Sequence, residues 1–557
     1  MVAVIICFIV SLFIFLNLGN AIILKIDNRN FDNYNLFDSF FIGLALTGAF
    51  LNLWSLFLPT NGTTLLVLFG LTILSLSLHS KLREKLKKYF ILSKTKKTFL
   101  IISFLFLLIF SIYAVMKPSN YDTYLYHMSS IQWIEQYKVV PGLANMQERL
   151  GFNSSVFVLS AGFSFNSWFG QNLFIINSLS FLVFSVWLLW ITFRQKGALG
   201  LFALLFLYFF LNQYTTHISS PGSDVLPNIF IGYLLISVVL NPDYLKSKYL
   251  LFVILPLFGI TLKISIAPVI LLSIYVLLQR DRNVWQLVKK GAFFGIALVF
   301  PWLIRNIVLS GYLIYPMDEI DLFSFEWKVP KEKVVFVKSW IYSWAKDPTK
   351  DYSVVLNRSF GEWFPIWWSK LFSINKLFFI SATLAPTFGT IYIFWKRKEQ
   401  KYPLILAFLI GYICVLFWLK APDFRFSFGV ILFLALLPIL LLESVAENFK
   451  KIYNTLLISG IFVCFYFMAN DARNVYTNES FSEDYSQYIY KPMDPSELKI
   501  KKRTRFKKKT YLNTKNEKVI FYGFYRDAPC YDQFPCAPRF DSFKMRGENL
   551  SDGFNPN

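Results

Sequence analysis

Long runs of uncharged, apolar residues limit most strongly what this chain can fold into. Runs such as Val2–Leu24, Phe99–Met116 and Leu250–Leu262 contain no charged side chain. Of the 557 residues, 55% are hydrophobic and only 16% are charged, whereas an ordinary soluble domain carries about 25% charged residues. A soluble chain of this length would divide into domains with charged surfaces. The sequence therefore predicts a polytopic membrane protein and excludes a soluble enzyme of ordinary composition.

The basic residues predict how the chain is oriented in the membrane. The 56 Lys and Arg exceed the 34 Asp and Glu by 22, and the densest cluster, Ser80–Lys97, separates two apolar runs. Short loops rich in Lys and Arg stay in the cytoplasm. We therefore attribute the positive charge to membrane orientation and expect no nucleic-acid partner. Smaller basic clusters lie at Arg194–Lys196, Lys246–Lys248, Arg280–Lys290, Lys396–Lys401 and Lys450–Lys451.

The spacing of the apolar runs predicts an all-α fold. A helix that crosses the hydrocarbon core needs roughly 20 apolar residues, and the runs give about 14 crossings. Both termini are then extracytoplasmic, with long outer loops at residues 117–153 and 310–370. We expect N-terminal transmembrane helices and a basic cytoplasmic loop over residues 1–97, and a helical core with amphipathic interfacial helices over 98–470. A small extracytoplasmic domain follows over 471–557.

The five cysteines divide into two groups. Cys530 and Cys536 fall in the predicted extracytoplasmic tail, where the redox environment permits a disulfide. A zinc site there is a weak alternative, because two further ligands are not visible nearby and the chain has only three His. Cys7, Cys414 and Cys464 lie in apolar runs, and we expect them to be membrane-buried thiols.

Asp122 is the acidic residue that the sequence singles out. It follows the apolar run that ends near Met116, and ionisable groups near membrane depth are costly and often functional. A carboxylate there can accept a proton from a hydroxyl group or hold a cation. The alternative is a helix N-cap, for which Asn120 and Asp122 are both suitable. Apolar residues then recur at every third position, as in an amphipathic interfacial helix: Leu125, Met128, Ile131 and Ile134.

Three basic residues stand near the predicted outer ends of helices. Lys263 separates two apolar runs, Arg305 enters the last part of another, and Arg425 follows Asp423 in a short turn. A snorkelling Lys263 and a local Asp423–Arg425 pair are the structural alternatives. If the three cations met on one face, they would suit a lipid-linked phosphate, which guanidinium groups bind through two parallel hydrogen bonds.

Further site candidates are His127, Glu135, His217 and Asp224, although histidines are more often structural than catalytic. No P-loop, HExxH, nucleophile elbow or CxxC occurs in a credible setting. ATP-driven pumping, zinc proteolysis and serine hydrolysis therefore lack support in the sequence.

These residues together resemble the GT-C superfamily of polytopic glycosyltransferases, which use polyprenyl-phosphate-linked sugars on the extracytoplasmic side. The resemblance rests on Asp122 in the first large outer loop, on Lys263, on Pro301–Pro316, and on the Asp423-Phe-Arg425-Phe segment. More narrowly, three segments resemble an uncharacterised group of large bacterial inner-membrane proteins related to that fold: Tyr121–His127, Val140–Asn145 and Arg149–Ser154.

The resemblance implies a catalytic role for Asp122, with the donor phosphate bound by Arg425, Arg305 and Lys263. It also implies a polyprenyl-phosphate sugar as donor and a glycan, lipid or protein as acceptor. The sequence departs from the family pattern in two ways: three apolar spans precede the helix before Asp122, and no second acid stands beside that residue. Asp224 or Glu135 could supply the second carboxylate if the fold brings one of them close to Asp122. The sequence identifies no cofactor with certainty and leaves a divalent cation open.

Other functions remain as alternatives. A transporter or flippase of a lipid-linked glycan would be favoured by inverted repeats and helices broken at matching positions, and no clear repeat is visible. An O-antigen polymerase or ligase would share the lipid-linked substrate and a long outer loop. A structural protein of an export system is the third alternative. The polar residues gather on one predicted face, which favours chemistry at the membrane surface.

Overall fold

The computed structural model describes most of the chain. It describes residues 1–90, 97–116, 118, 120–195, 197–280, 283–396, 401–442, 450–477, 508–513, 518–523, 534–535 and 543–557. Within these residues the structure is mostly helical, with two small two-stranded sheets. The all-α class predicted from the apolar runs is confirmed.

Most helices follow one another with short connections, and the longest described connection is formed by residues 311–330. The helices are α1 (Val2–Ile26), α2 (Leu36–Trp54), α3 (Gly62–Leu78), α4 (Ser80–Phe90), α5 (Lys97–Val115), α6 (Met128–Gln136), α7 (Leu143–Met146), α8 (Ser155–Gly162), α9 (Asn166–Phe169), α10 (Ile176–Arg194), α11 (Ala198–Tyr214), α12 (Val225–Leu240), α13 (Tyr244–Ser247), α14 (Tyr249–Leu262), α15 (Ile270–Arg280), α16 (Val284–Leu298), α17 (Phe300–Ser310), α18 (Lys331–Trp344), α19 (Tyr352–Leu356), α20 (Phe360–Lys370), α21 (Ser373–Thr383), α22 (Ala385–Lys396), α23 (Lys401–Trp418), α24 (Phe424–Ala435), α25 (Leu437–Leu440) and α26 (Lys450–Thr477).

Several of these helices could cross a membrane. Among the described residues, five helices are long and apolar enough: α1, α2, α5, α10 and α23. Three bent pairs, α3–α4, α16–α17 and α21–α22, raise the number to eight if each pair counts as one span. Shorter apolar helices, including α11, α12 and α14, pack within the same bundle. The 14 crossings and the orientation of the termini stay predictions.

The first two helices pack with almost no space between their backbones. A Cβ atom on Gly43 would lie 1.8 Å from the Phe15 carbonyl oxygen, and one on Gly19 would lie 1.9 Å from the Ser39 carbonyl oxygen. Small residues at such contacts let apolar helices pack by van der Waals attraction where no hydrophobic effect drives them together. At its start, α2 has a capping box, in which Asn35 accepts the Asp38 N–H at 2.9 Å and Asp38 accepts the Asn35 N–H at 2.8 Å.

A buried ion pair joins α2 to the residue that precedes α14. Lys248 Nζ lies 2.7 Å from Asp38 Oδ2, and the Tyr233 hydroxyl donates to Asp38 Oδ1 at 2.6 Å. All three side chains are buried. A buried ion pair repays its desolvation only when further hydrogen bonds satisfy it, and Tyr233 supplies one.

The segment that carries Asp122 is helical, as predicted. Thr123–His127 forms one π-helical turn that continues into α6. The four apolar residues of the predicted stripe are all buried against the rest of the protein, with at most 9% of their surface exposed: Leu125, Met128, Ile131 and Ile134. Their burial fixes the start of the segment, and with it Asp122, against the bundle.

The end of the chain returns to the bundle. β3 (Phe543–Met545) pairs antiparallel with β4 (Phe554–Pro556), and β1 (Lys508–Asn513) pairs antiparallel with β2 (Lys518–Gly523). The Phe554 N–H donates to the Pro141 carbonyl oxygen at 2.9 Å, and the Phe554 side chain is fully buried. Arg546 covers the Trp327 ring at 4.7 Å. Residues 543–557 therefore pack on segments near α7 and before α18.

Three of the five cysteines lie within the described residues. Cys7, Cys414 and Cys464 are free and buried in the protein, which confirms that they are buried thiols; their position in a membrane stays a prediction. Cys530 and Cys536 lie outside the described residues, so their pairing stays a prediction, as do the domain boundaries.

Candidate functional site

Asp122 keeps its carboxylate free of a capping role. Asn120 accepts the Asp122 N–H through Oδ1 at 3.0 Å, and its carbonyl oxygen accepts the Thr123 N–H at 3.0 Å. Asn120 thus closes the turn before the helix, and the Asp122 side chain makes no capping hydrogen bond. Its Oδ2 lies 3.6 Å from Arg425 Nη2 instead. Of the two capping candidates in the sequence, Asn120 has the structural role.

Arg425 lies at the centre of three carboxylates. Besides Asp122, its Nε lies 3.2 Å from Asp423 Oδ2 and 3.7 Å from Asp224 Oδ2. The guanidinium also lies 5.2 Å from the Trp344 ring centre and 5.1 Å from that of Phe426. Aromatic faces attract a guanidinium electrostatically, so the cation is positioned by charge on one side and by rings on another.

Asn228 and a break in α24 fix the backbone at Arg425. Ser427 has a non-helical backbone (φ −145°, ψ 28°), which interrupts the hydrogen bonds of the first turn. The Arg425 carbonyl oxygen accepts the Tyr214 hydroxyl at 2.7 Å and Asn228 Nδ2 at 3.2 Å. The Gly429 N–H donates to Asn228 Oδ1 at 2.8 Å. Side chains of α11 and α12 thus satisfy backbone groups that the broken helix leaves free.

Asp224 and Lys263 form the second ion pair of the cluster. Lys263 Nζ donates to Asp224 Oδ1, and the same nitrogen lies 3.7 Å from the Phe426 ring centre. Burial opposes ionisation of Asp224, but the charges of Lys263 and Arg425 outweigh it and lower the pKa of that carboxyl to about 2. Lys263 therefore faces a buried carboxylate, and the snorkelling alternative does not describe it.

Asp423 forms the predicted local pair with Arg425 and also caps α24. Its Oδ1 accepts the Arg425 N–H at 3.0 Å and so caps α24. Its Oδ2 faces the Arg425 guanidinium. Burial raises the pKa of this carboxyl, against the opposing charge of Arg425. We name Asp122, Asp224, Lys263, Asp423 and Arg425 the charged cluster; each lies at the end of a helix or just beyond it.

The two histidines flank the charged cluster. His217 Nδ1 lies 3.5 Å from Asn120 Nδ2, and burial lowers the pKa of its imidazole. His127 is buried between the rings of Tyr126 and Phe157, with centroids at 4.4 and 5.3 Å. Burial lowers the pKa of His127 to about 3. A neutral His127 adds no positive charge to the site at neutral pH, which fits the structural alternative.

Two candidates lie elsewhere. Arg305 was expected to meet Asp122 and Arg425, but its Nε donates to Asn153 Oδ1 at 3.1 Å and its Nη1 to Ser55 Oγ at 2.6 Å. No contact among the described residues joins it to the charged cluster. Glu135 accepts a hydrogen bond from Asn172 at 2.9 Å. The acid that approaches Asp122 through Arg425 is Asp224. The packing of α17 explains the position of Arg305, because its side chain points toward the start of α8.

A cavity of about 510 Å³ opens beside the charged cluster. Asp423 and Trp344 line it, together with Lys346 and further aromatic side chains. Lys346 lies 5.0 Å from the Trp363 ring centre, and none of the described carboxylates pairs with it. Burial lowers the pKa of its ammonium group. The other aromatic residues of the lining are Phe209, Trp367, Phe372, Phe378, Phe424 and Phe428.

Sequence reasoning missed the groups that support the cluster. Tyr214 and Asn228 hold the Arg425 backbone, Trp344 covers its guanidinium, and Lys346 lines the cavity. Each acts on a residue far away in the chain, and none belongs to a recognisable motif. The one signal in the sequence was a polar Asn228 within an apolar run, which calls for a buried hydrogen-bond partner.

The structure gives no sign of a metal centre in the part of the chain that it describes. No group of three or more His, Cys, Asp or Glu side chains there is arranged to hold a metal ion. Asp122, Asp224 and Asp423 surround the guanidinium of Arg425, so a protein cation occupies the centre of the acids.

The fold and the cluster define a class: a largely α-helical chain with several helices apolar enough to cross a membrane and a charged cluster at the helix ends. The family model described as "Domain of unknown function (DUF8201)" matches residues 1–432, so the chain belongs to that family. No curated protein and no solved structure matches the chain. The matched range includes every residue of the charged cluster.

Proposed function

We propose that this protein transfers a sugar from a polyprenyl-phosphate-linked donor to a glycan, lipid or protein acceptor during assembly of the cell envelope. The protein would lie in the bacterial inner membrane with the charged cluster on the extracytoplasmic side. The observation that carries the proposal is the meeting of Asp122 with Arg425, and of Arg425 with the Asp224–Lys263 pair. One acid of the site is more accessible than the other two and lies beside two cations. Such a site can bind an acceptor hydroxyl through the acid and a phosphate through the cations.

In the proposed reaction Asp122 is the general base. Its side chain is 28% exposed, against 14% for Asp224 and 22% for Asp423. Asp122 accepts the proton of the acceptor hydroxyl while that oxygen attacks the anomeric carbon of the donor sugar. The bond from that carbon to the phosphate oxygen breaks, and the lipid phosphate leaves with the electron pair. Attack opposite the leaving group inverts the configuration of the sugar carbon.

Arg425 and Lys263 supply positive charge for the departing phosphate in this proposal. Fixed cations in a poorly hydrated site stabilise charge that develops in the transition state, often as the largest single contribution to catalysis. The three carboxylates and two cations of the cluster carry a formal charge of about −1 by the usual ionisation states. The carboxylates orient Arg425 before the donor arrives, and the donor phosphate competes with them for the guanidinium.

The aromatic cavity supports a lipid-linked donor. Aromatic and methylene surfaces bind apolar chains by burial of area, at about 25 cal/mol per Å². The cavity shares Asp423 and Trp344 with the surroundings of Arg425. A prenyl chain beside the phosphate would place the apolar and charged parts of the donor against matching parts of the protein.

The deciding experiment measures the release of lipid phosphate. Purified protein in detergent, supplied with a polyprenyl-phosphate sugar and an acceptor extract, should release lipid phosphate, and Asp122→Asn should abolish the release without lowering Tm. Asp32→Asn is the matched control, because Asp32 is an exposed acid outside the cluster, and its activity should equal that of the wild type. Full activity in Asp122→Asn would contradict the proposal, and movement of the donor across vesicles without product would favour a flippase.

A further inference from the structure

Arg305 is a buried cation without a described counter-ion. Only 2% of its surface is exposed, and its two hydrogen bonds go to the neutral groups Asn153 Oδ1 and Ser55 Oγ. Among the described residues, no carboxylate pairs with it. A buried charge costs several kcal/mol unless an opposite charge compensates it. The guanidinium has five N–H donors, and the two hydrogen bonds use two of them.

A small cavity lies against Arg305. Its volume is about 20 Å³, and its lining includes Ser130, Asn153, Ser154 and Phe157. Ser130 is 6% exposed, and its hydroxyl has no hydrogen-bond partner among the described residues. A cavity holds one water-sized particle once it offers about 10–15 Å³ to such a probe. The space therefore admits a particle at least as large as a water molecule beside a cation and a free hydroxyl donor.

We propose that Arg305 and Ser130 bind a single monatomic anion of the halide class, with chloride as the natural occupant. The guanidinium supplies the opposite charge, and the Ser130 hydroxyl donates a hydrogen bond. The lining offers one cation and is otherwise neutral and mostly apolar, so it suits a monovalent anion better than a doubly charged phosphate. The site is separate from the charged cluster and does not depend on the proposed transferase activity.

Arg305 and its anion would together join four segments of the bundle. Arg305 lies on α17, Ser130 on α6 and Asn153 just before α8. Ser55, which follows α2, accepts a hydrogen bond from the same guanidinium. A neutralised Arg305 stabilises the packing of these segments, whereas an empty site leaves a buried positive charge. Halide binding should therefore raise the stability of the folded protein.

The test titrates chloride into the purified full-length chain in detergent, with sodium gluconate replacing it at constant ionic strength. Tm is followed by tryptophan fluorescence, and bound radiolabelled chloride is counted by equilibrium dialysis. We expect a saturable rise in Tm and one chloride per chain, with bromide acting similarly. Arg305→Gln should abolish both effects. Ser130→Ala should require about tenfold more chloride, because it removes one hydrogen bond to a charged group.

Further variants and anions distinguish a bound chloride from water in the cavity. Arg425→Gln should retain the chloride response, because its guanidinium lies in the charged cluster. If Arg305→Gln does not fold, the wild-type titration and Ser130→Ala decide the question. Equal Tm in gluconate and chloride, no bound chloride, or binding unchanged in Ser130→Ala would show that the cavity holds only water. An equal response to inorganic phosphate would contradict the preference for a monovalent halide.

Discussion

At the scale of single residues, Arg425 is the group on which the site depends. Three carboxylates approach its planar guanidinium, two at Nε and one at Nη2. A lysine ammonium is a compact charge on a flexible stem and cannot reproduce this geometry. The charge at position 425 is therefore less important than the shape of the group that carries it.

This leads to a prediction for Arg425→Lys. The variant keeps the positive charge but loses the simultaneous contacts, so we expect the release of lipid phosphate to fall about a hundredfold, the usual loss for one transition-state donor. The measurement is the rate of release from purified protein at saturating donor. The control is Arg194→Lys, because the Arg194 guanidinium lies over the Trp190 ring outside the cluster. A rate within threefold of the wild type in Arg425→Lys would show that charge alone suffices.

At the scale of elements, α12 and α24 touch at Gly429. A Cβ atom there would lie 2.6 Å from the Asn228 carbonyl oxygen, which is backbone and cannot move aside. Gly429→Ala should push α24 away from α12 and lower the free energy of unfolding by about 1–3 kcal/mol, as overpacking does. It should also lower activity, because Arg425 is on the displaced helix. Denaturant unfolding and the release assay measure both effects.

The control for this variant is Gly295→Ala in α16. No atom lies within 4 Å of a Cβ built there, so the added methyl group should be neutral or slightly stabilising, since alanine favours a helix more than glycine does. Equal stability losses in both variants would refute the close contact between α12 and α24.

The short helix α6 carries a pH-dependent group. Burial raises the pKa of Glu135 from 4.5 to about 7. Between these values the folded protein keeps a proton that the unfolded chain releases, so stability falls as pH rises from about 5 to about 7. Glu135→Gln resembles the protonated form and should show a smaller decline in Tm over this range. Glu84→Gln on the exposed face of α4 should decline as the wild type does, and identical curves for all three proteins would contradict the prediction.

At the scale of the whole molecule, the predicted orientation can be tested with single cysteines. Glu319 is 63% exposed in the predicted outer loop, and Lys88 is 68% exposed in the predicted cytoplasmic loop. In a background with Cys530→Ser and Cys536→Ser, an impermeant maleimide should label Glu319→Cys in intact spheroplasts. Lys88→Cys should react only after lysis, because the membrane shields it. The opposite pattern would reverse the orientation and place the charged cluster in the cytoplasm.

The sequence predicted the helices and part of the cluster for identifiable physical reasons. Apolar runs bounded by charged loops predict helices, because backbone groups in a membrane must be satisfied within the chain. The stripe from Leu125 to Ile134 showed which face is buried. The structure brings Asp122, Lys263 and Arg425 together, whereas their chemical roles stay predictions. The environment of Arg305 and the neighbours of Asn228 could not be predicted, because they depend on how helices far apart in the sequence are rotated against each other.

The hydrogen bonds of Asn228 couple the ends of two helices. A single amide binds the Asp224 carbonyl, the Arg425 carbonyl and the Gly429 N–H, so a tilt of α12 away from α24 would break the last two of these hydrogen bonds. A ligand that displaces α12 would therefore also act on α24. Opening and closing of such a site would be governed by rotation of the joined pair against α14, where Lys263 is anchored.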